Sequence, residues 1–447
     1  MQPELLSTTI EVSTIEARDV SRMCHNRANM FALSRGRRSC PAWYVFCVLG
    51  QLLGASLPVD ASDDIALPLE FVSWERRVSD NGRVDSSTCC LSSDQSQLLV
   101  SVSSDDKLIV YSRNKRTGEL ERLDEFRDRR AVILPGAICT GREPATWFVA
   151  TTLGIVKVVW SSERRKIETK LVSGKRTPET VIAHGSVNSL LSVPDTGQLL
   201  VVNSLKDSFS ILTQGPAEFS PSRIFQNTAR GERDRAAPAK VDPPEGKFIY
   251  LSSLLVPRQI ALSPDARTAY VTSFSGRSVS VFELDDNLCW NFLCTVAEVR
   301  DRGKLIGQVD GMSGADGICV SPDAKHVYVS GSAGSVVAFA VKADDRHLRF
   351  LEAYSEIRGN ASGLSNPKDI KVTPDGDYVF VANLSGKSIA VFARNPTGTL
   401  KYQSRLAEGE GGNQGLAGVT SMVLSADGRN LYATASNSVV TVFRINK

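Results

Sequence analysis

The chain has 447 residues, 52 of them lysine or arginine and 49 aspartate or glutamate, which gives a formal net charge of +3. Both signs are mixed along the sequence, which excludes the basic face on which nucleic-acid binding depends. The length exceeds that of one ordinary domain, so several domains or one large repeat architecture are required.

A leader precedes the first structural element. Basic residues at 35–38 are followed by an apolar run over residues 41–55 and by small residues that end at Ala61. This order is typical of a secretory signal peptide, and the run is too short for a stable membrane span. We therefore expect a leader over residues 1–61, with a signal-peptide-like segment at 35–61, and a secreted or endomembrane protein.

Two further observations bear on localisation. Glycosylation sequons begin at Asn360 and Asn383 in predicted surface loops, which supports export. Residues 22–38 contain no acidic residue, and this is typical of an organellar transit peptide. An organellar location is therefore the alternative.

Beyond the leader, one pattern recurs seven times, most clearly in the last four copies. It consists of a short apolar run, a turn with an acidic residue, an alternating strand and a second apolar strand. The turn residues are Asp94, Glu143, Asp195, Asp265, Asp323, Asp375 and Asp427, at steps of 49, 52, 70, 58, 52 and 52 residues. Units of roughly 50 residues with four short strands are typical of propeller blades. The sequence predicts an all-β fold over residues 62–447, a seven-bladed β-propeller with four antiparallel strands in each blade.

The ring requires a closing strand. In the blade of Asp323 we predict strands at residues 317–321, 327–330, 335–341 and 348–357, whereas the seventh blade ends with its third strand, at 439–445. Residues 69–78 match residues 348–357 in the placement of apolar side chains. We expect residues 69–78 to complete the last blade, because an open edge would expose a row of unpaired backbone groups.

The step of 70 residues indicates an insertion between the third and fourth blades. Residues 215–246 are rich in proline, charge and small side chains, and we predict a solvated loop there. Docking of a protein partner on this loop is an additional hypothesis.

The turn aspartates are interpreted as structural. An aspartate in such a turn accepts hydrogen bonds from backbone N–H groups, and seven catalytic carboxylates in one propeller would be unusual.

Candidate functional residues lie where the inner strands begin, because these strands line a central channel and their first residues face one of its mouths. The repeat register brings polar residues of several blades to this rim, namely Asn188, Arg258, Gln259, Asp316, Lys368 and Asp369. His184 lies just ahead of the third inner strand, while His326 and His347 are expected at the surface.

We assign these residues to two groups. Asp316, His184 and Arg258 are predicted to be catalytic, and Asn188, Gln259, Lys368 and Asp369 are predicted to bind the ligand. Such a set suits a small anionic or hydroxylated molecule. The alternative is that these polar groups are simply solvated and that the charged ones pair with each other across blades.

Other site classes lack their motifs. Cysteines and histidines do not occur at metal-ligand spacing, and no phosphate-binding glycine loop, nucleophile elbow or dinucleotide fingerprint is present. We expect no metal, no cofactor and a monomer.

The repeats resemble those of the lactonase family of seven-bladed propellers, which includes 6-phosphogluconolactonases and muconate cyclases. The likeness is carried by SPDAKHVYVSGSAGSVVAFAV, by TPDGDYVFVANLSGKSIAVFARNPTGTLKY and by the turn Thr397-Gly398-Thr399-Leu400, which Thr117-Gly118-Glu119-Leu120 repeats. Lactonases of this family carry His-x-His ahead of an inner strand, where this chain has Ser186 and Asn188.

The resemblance implies hydrolysis of a sugar-acid or related lactone. Arg258 and Lys368 would hold the substrate and polarise its carbonyl, and Asp316 or His184 would activate water. The alternative is a non-catalytic secreted propeller that binds a ligand or a protein at the same rim.

Overall fold

The computed structural model describes residues 68–76, 87–128, 130, 132–174, 187–216, 218–227, 248–301 and 304–446. The predicted leader, His184 and most of the predicted insertion lie outside these ranges. No helix in the described ranges has the length and hydropathy needed to cross a bilayer.

The described chain forms seven antiparallel sheets, and each inner strand contacts the inner strands of the neighbouring blades, the first contacting the last. The predicted seven-bladed β-propeller is therefore confirmed. From the inner to the outer edge, the strands of blades one to three are Thr88–Leu91, Gln97–Val102, Lys107–Arg113 and Leu120–Arg127; Ile138–Thr140, Thr146–Thr151, Gly154–Ser161 and Lys166–Gly174; Val187–Val193, Gln198–Asn203, Ser208–Gln214 and Phe219–Gln226. Those of blades four to six are Pro257–Leu262, Thr268–Ser273, Ser278–Leu284 and Trp290–Ala297; Ala315–Val320, His326–Gly331, Ser335–Val341 and Leu348–Ser355; Pro367–Val372, Tyr378–Asn383, Ser388–Arg394 and Leu400–Ala407.

The seventh blade contains both extremities of the described chain. Its strands are Ser421–Leu424, Asn430–Thr434, Ser438–Ile445 and, on the outside, Leu69–Arg76. Phe71 lies opposite Phe443 in the register, and their rings are 6.1 Å apart, edge to face. The closing strand predicted at residues 69–78 is confirmed, and it ends at Arg76.

Short elements supplement the blades. A 3₁₀ turn covers Ser103–Asp105, a hairpin joins Arg300–Asp301 to Lys304–Leu305, and Phe248–Tyr250 pairs in parallel with the outer strand of blade three. That outer strand, Phe219–Gln226, occupies the beginning of the segment predicted as an insertion at 215–246. The prediction of an irregular loop is therefore wrong for Phe219–Gln226, and residues 228–247 lie outside the described residues.

The turn between the first two strands of a blade is held by a hydroxyl and a carboxylate. In blade five, Ser321 Oγ donates to Asp323 Oδ1 at 2.5 Å, and Oδ1 accepts the backbone N–H of Lys325 at 3.1 Å. The same bonds occur at Asp94, Asp265, Asp375 and Asp427. The structural role predicted for these aspartates is confirmed. Blades two and three have Gly141 and Val193 at the hydroxyl position and cannot form this turn bond.

Neighbouring blades are joined by an arginine of the following blade. Arg394 Nε donates to the hydroxyl of Tyr328 at 2.9 Å, and its Nη2 contacts Asp323 Oδ2 at 2.7 Å and His326 Nδ1 at 2.8 Å. The Tyr328 hydroxyl in turn donates to the carbonyl of Gly398 at 3.0 Å. Each bond crosses from blade five to blade six, so the Thr-Gly turn of the sequence is part of the contact between blades.

The same arrangement joins blade seven to blade one. Arg113 Nε donates to the Tyr432 hydroxyl at 2.7 Å, Nη2 donates to Asn430 Oδ1 at 2.8 Å, and Tyr432 donates to the Gly118 carbonyl at 2.9 Å. Asn430 thus takes the place that His326 has in blade five. His326 is 5% exposed, so the prediction that it lies at the surface is wrong.

One of the two predicted sequon sites is buried. Asn383 ends a strand, is fully buried, and its amide donates to the Val381 carbonyl at 3.1 Å. The prediction of a surface loop at Asn383 is therefore wrong. The sequence pattern misplaced it because the strand continues one step beyond its last apolar residue.

Candidate active site

The beginnings of the inner strands meet around one pocket on the propeller axis. Its volume is about 410 Å³. It is lined by the six described rim residues predicted from the sequence, Asn188, Arg258, Gln259, Asp316, Lys368 and Asp369, together with Ser87, Thr88, Leu384, Thr420 and Ser421. We call this the axial pocket.

Asp316 and Lys368 form an ion pair in the wall of the axial pocket. Lys368 Nζ lies 2.8 Å from Asp316 Oδ2, and the hydroxyl of Ser332 donates to the same oxygen at 3.0 Å. Both groups are largely buried, with side-chain exposures of 24% for Lys368 and 14% for Asp316. Both contacts use Oδ2, and no hydrogen bond engages Oδ1 among the described residues. Oδ1 is therefore the oxygen that can approach a ligand or a water molecule.

Arg258 brings a second cation to the pocket. Its guanidinium carbon lies 4.9 Å from the centroid of the Phe274 ring, a cation–π contact that fixes the direction of a long side chain. Arg258 and Lys368 come from blades four and six, and Asp316 comes from the blade between them. The predicted alternative of pairing across blades is thus realised for Lys368 with Asp316, while Arg258 lies against an aromatic ring.

Asp369 and Gln259 form the next layer and are already engaged. Asp369 Oδ1 accepts from Gln259 Nε2 at 3.2 Å and from Lys371 Nζ at 2.6 Å, and Oδ2 accepts the backbone N–H of Met422 at 2.7 Å. Gln259 Oε1 accepts the N–H of Ile318 at 2.6 Å. These bonds tie blades four to seven together at the axis, so the two side chains hold the pocket wall in position.

Lys371, Cys90 and Cys319 lie further along the inner strands of blades six, one and five. Burial disfavours the charged form of Lys371, but the contact with Asp369 outweighs it and raises the pKa of the ammonium group. Burial also raises the pKa of Cys90 and of Cys319 to about 12, although Lys371 acts in the opposite direction. These thiols therefore stay protonated at neutral pH and are not nucleophiles.

The sequence missed two residues of this site. Ser332 and Phe274 each follow the second strand of their blade, at the same mouth of the channel as the inner-strand starts. The repeat register that identified the inner strands also places the loops after the second strands at this mouth, so both residues could have been found from the sequence. His184 lies outside the described residues, so its role stays a prediction. Within the described ranges, no group of three or more histidine, cysteine, aspartate or glutamate side chains could hold a metal ion.

Comparison with known proteins adds a family match. The family model described as "Lactonase, 7-bladed beta-propeller" matches residues 239–414. An uncharacterized protein of Staphylococcus epidermidis is 30% identical over 34% of this chain and 41% of its own length. A 6-phosphogluconolactonase of Enterobacter is 22% identical over 52% of this chain and 67% of its own length. The chain therefore spans about two fifths of the length of the first of these relatives.

A solved structure shares the fold. The periplasmic gluconolactonase of Pseudomonas aeruginosa superposes with a TM-score of 0.52 and 18% identity, over 81% of this chain and 89% of that one. Identity at this level speaks for the fold alone. The resemblance to lactonase-type seven-bladed propellers is confirmed, and residues 239–414 carry it.

Proposed function

We propose that the protein hydrolyses a sugar-acid or related lactone in the axial pocket. The observation that carries the proposal is the convergence of Asp316, Lys368 and Arg258, from three successive blades, on one pocket of about 410 Å³. Support comes from the Enterobacter relative and from the Pseudomonas structure, whose names describe lactone hydrolysis. A pocket of this size accommodates one sugar ring with its hydroxyl groups.

The chemistry requires a base, a cation near the carbonyl and a water molecule. Water adds to the carbonyl carbon, the ring C–O bond breaks, and the product is the open hydroxy acid. In our proposal Asp316 Oδ1 takes a proton from the attacking water, while the Arg258 guanidinium stabilises the negative charge that develops on the carbonyl oxygen. Lys368 holds the Asp316 carboxylate in position through Oδ2, 2.8 Å away. His184 is retained as an alternative base.

Asn188, Gln259 and Asp369 have different parts in this proposal. Asn188 is exposed at the mouth, where its amide would contact the hydroxyl groups of the substrate. Gln259 and Asp369 act as positioning residues, because their polar atoms already bond to each other and to backbone N–H groups of neighbouring blades.

A second candidate function is binding without turnover. It is favoured by the ion pair between Lys368 and Asp316, which leaves neither charge unbalanced in the absence of ligand. In that case the same pocket would hold a small hydroxylated or anionic ligand, or the segment predicted as an insertion at 215–246 would dock a protein partner.

The test is a pH-stat assay of the purified protein with gluconolactone, 6-phosphogluconolactone and muconolactone. We expect turnover of at least one of them above the spontaneous rate, and a loss of about 10²-fold or more in kcat for Asp316→Asn. Arg258→Ala should reduce kcat/KM through both binding and charge stabilisation. Turnover of none of the three would favour the binding function.

Export of the protein is also proposed. It is supported by the signal-peptide-like segment at residues 35–61, which ends before the closing strand begins at Leu69. N-terminal sequencing of the mature protein should give a start near residue 62. An intact leader on the mature protein would contradict export by this route.

A further inference from the structure

A second pocket lies beside the axial pocket on the same face of the propeller. Its volume is about 600 Å³. It is formed by Phe274 of blade four, by the loop of Ser332, Ala333 and Gly334 in blade five, and by residues 364–366 on the way into blade six. We call it the outer pocket.

Two contacts form a shared wall between the outer and axial pockets. Phe274 lines the outer pocket, and the guanidinium of Arg258, which lines the axial pocket, lies 4.9 Å from its ring centroid. Ser332 lines the outer pocket, and its hydroxyl donates to Asp316 Oδ2 at 3.0 Å and lies 3.4 Å from Lys368 Nζ. Because each wall residue contacts a residue of the other pocket, the two pockets adjoin, and a ligand that fills the axial pocket needs to cross only this wall to reach the outer one.

The lining of the outer pocket differs in chemistry from that of the axial pocket. It contains the hydroxyls of Ser313, Ser332 and Ser365, the amide of Asn366 and one aromatic ring, and none of its lining residues carries a charge. The axial pocket, in contrast, contains two cations and two carboxylates. Hydroxyl and amide groups around an aromatic ring suit a neutral ring that bears hydroxyls on its edge and C–H groups on its face.

Glycine at two positions makes room for such a ring. A Cβ on Gly314 would lie 3.2 Å from the Phe274 ring, and the backbone there has φ +68°. Gly334, with φ +96°, lies in the loop that borders the pocket, where a Cβ would meet the Leu364 carbonyl at 2.8 Å. Side chains at these two positions would narrow the outer pocket or displace its wall.

We propose that the ligand has two sugar units: an aldonolactone or its open aldonate in the axial pocket, and a neutral sugar ring attached to it in the outer pocket. The substrate class is then a glycosyl aldonolactone rather than a lactone of one sugar unit. This inference rests on the proposed function for the reaction, but the binding of the attached sugar depends only on the outer pocket.

The test compares probes of one and of two sugar units in binding and in turnover. Calorimetry measures the dissociation constants of gluconate, cellobionate and maltobionate, the last two being gluconate with one glucose attached through different linkages. We expect at least one of these two glucosyl acids to bind about tenfold more tightly than gluconate. We expect its lactone to show a correspondingly higher kcat/KM.

Two variants with matched added bulk test where the attached glucose binds. Ala333→Phe adds an aromatic side chain at an exposed position of the outer pocket and should lower the ratio of the affinity for the glucosyl acid to that for gluconate to about one. Ser275→Phe adds the same side chain at the corresponding place of the blade-four loop, outside both pockets, and should keep the ratio.

The outcomes separate this inference from the proposed function. A preference for a glucosyl acid that Ala333→Phe abolishes supports the outer pocket, even if no lactone is turned over and the hydrolase proposal fails. Equal affinities for gluconate and the two glucosyl acids, or a preference that Ala333→Phe leaves intact, would overturn the inference, whatever the turnover.

Discussion

Gly398 in the Thr-Gly turn should be intolerant of any side chain because of the blade next to it. A Cβ on Gly398 would overlap the imidazole of His326, and the backbone has φ +87°. Gly359 provides a matched control, since it has φ +70° with no atom within 4 Å of an added Cβ. Gly359→Ala therefore tests the backbone conformation alone, and Gly398→Ala tests the conformation together with the overlap.

The expected losses in the free energy of unfolding follow from the backbone conformation and from the overlap with His326. A left-handed backbone costs a residue other than glycine about 1 kcal/mol, so Gly359→Ala should lower the free energy of unfolding by that amount. Gly398→Ala must also displace His326, which breaks its 2.8 Å contact with Arg394. Loss of a buried hydrogen bond to a charged group costs about 2 kcal/mol, so the total should reach about 3 kcal/mol.

The assay is equilibrium unfolding in urea, followed by circular dichroism, for both single variants and for Gly398→Ala combined with His326→Thr. The contact between blades four and five already has a side chain at this turn. Arg346, at the position in blade five that corresponds to Gly398, has φ +56°, and its guanidinium contacts Thr268, which corresponds to His326. The pair should therefore lose less stability than the sum of the two single changes. Equal losses for Gly398→Ala and Gly359→Ala, or strict additivity in the double variant, would refute this account.

Three further predictions concern pH, catalysis and ring closure. Burial and the nearby Arg394 lower the pKa of His326, so the unfolded chain takes up a proton at higher pH than the folded one. The free energy of unfolding should therefore fall as the pH drops below about 6.5. In urea titrations at pH 5 and pH 7.5, His326→Asn should weaken that pH dependence. An unchanged pH dependence in this variant would contradict the assignment. Lys368→Met should lower kcat of the proposed lactone hydrolysis more than it changes KM, because Lys368 positions Asp316. A change in KM alone would assign Lys368 to substrate binding instead. Phe71→Asp should destabilise the fold by about 3 kcal/mol or more and promote association between copies of the chain, since it places a charge against Phe443 in the closing strand. An unaltered unfolding midpoint together with a monomeric elution profile would argue against ring closure as a stabilising feature.

The repeat pattern was sufficient to predict the ring, because each copy marks the same local structure. The third strand of blade five was predicted at residues 335–341 and is found at Ser335–Val341. The inner strand predicted at 317–321 begins instead at Ala315, because its backbone pairing shifts between Ala315 and Ile318, and such an irregularity leaves no trace in the alternation of apolar residues.

The site was predicted as a set of positions but not as a set of contacts. The register brought Asp316, Lys368 and Arg258 to one rim and allowed them to pair across blades, yet it could not select the partner, since pairing depends on side-chain direction and on Ser332 in a neighbouring loop. His326 was misjudged because a histidine at the start of a strand is usually exposed, whereas Arg394 and Gly398 of the next blade cover it here. The hydrogen bonds of Arg394 to blade five join residues 66 to 71 positions apart, beyond the reach of local sequence patterns.

The outer strand of the last blade has a consequence for biosynthesis. Leu69–Arg76 emerges from the ribosome before every other described strand, yet its partner, Ser438–Ile445, is nearly the last to be made. The earliest described strand therefore cannot pair until the last described strand has been made. During that interval a chaperone that shields this one strand would protect the nascent chain from joining another copy.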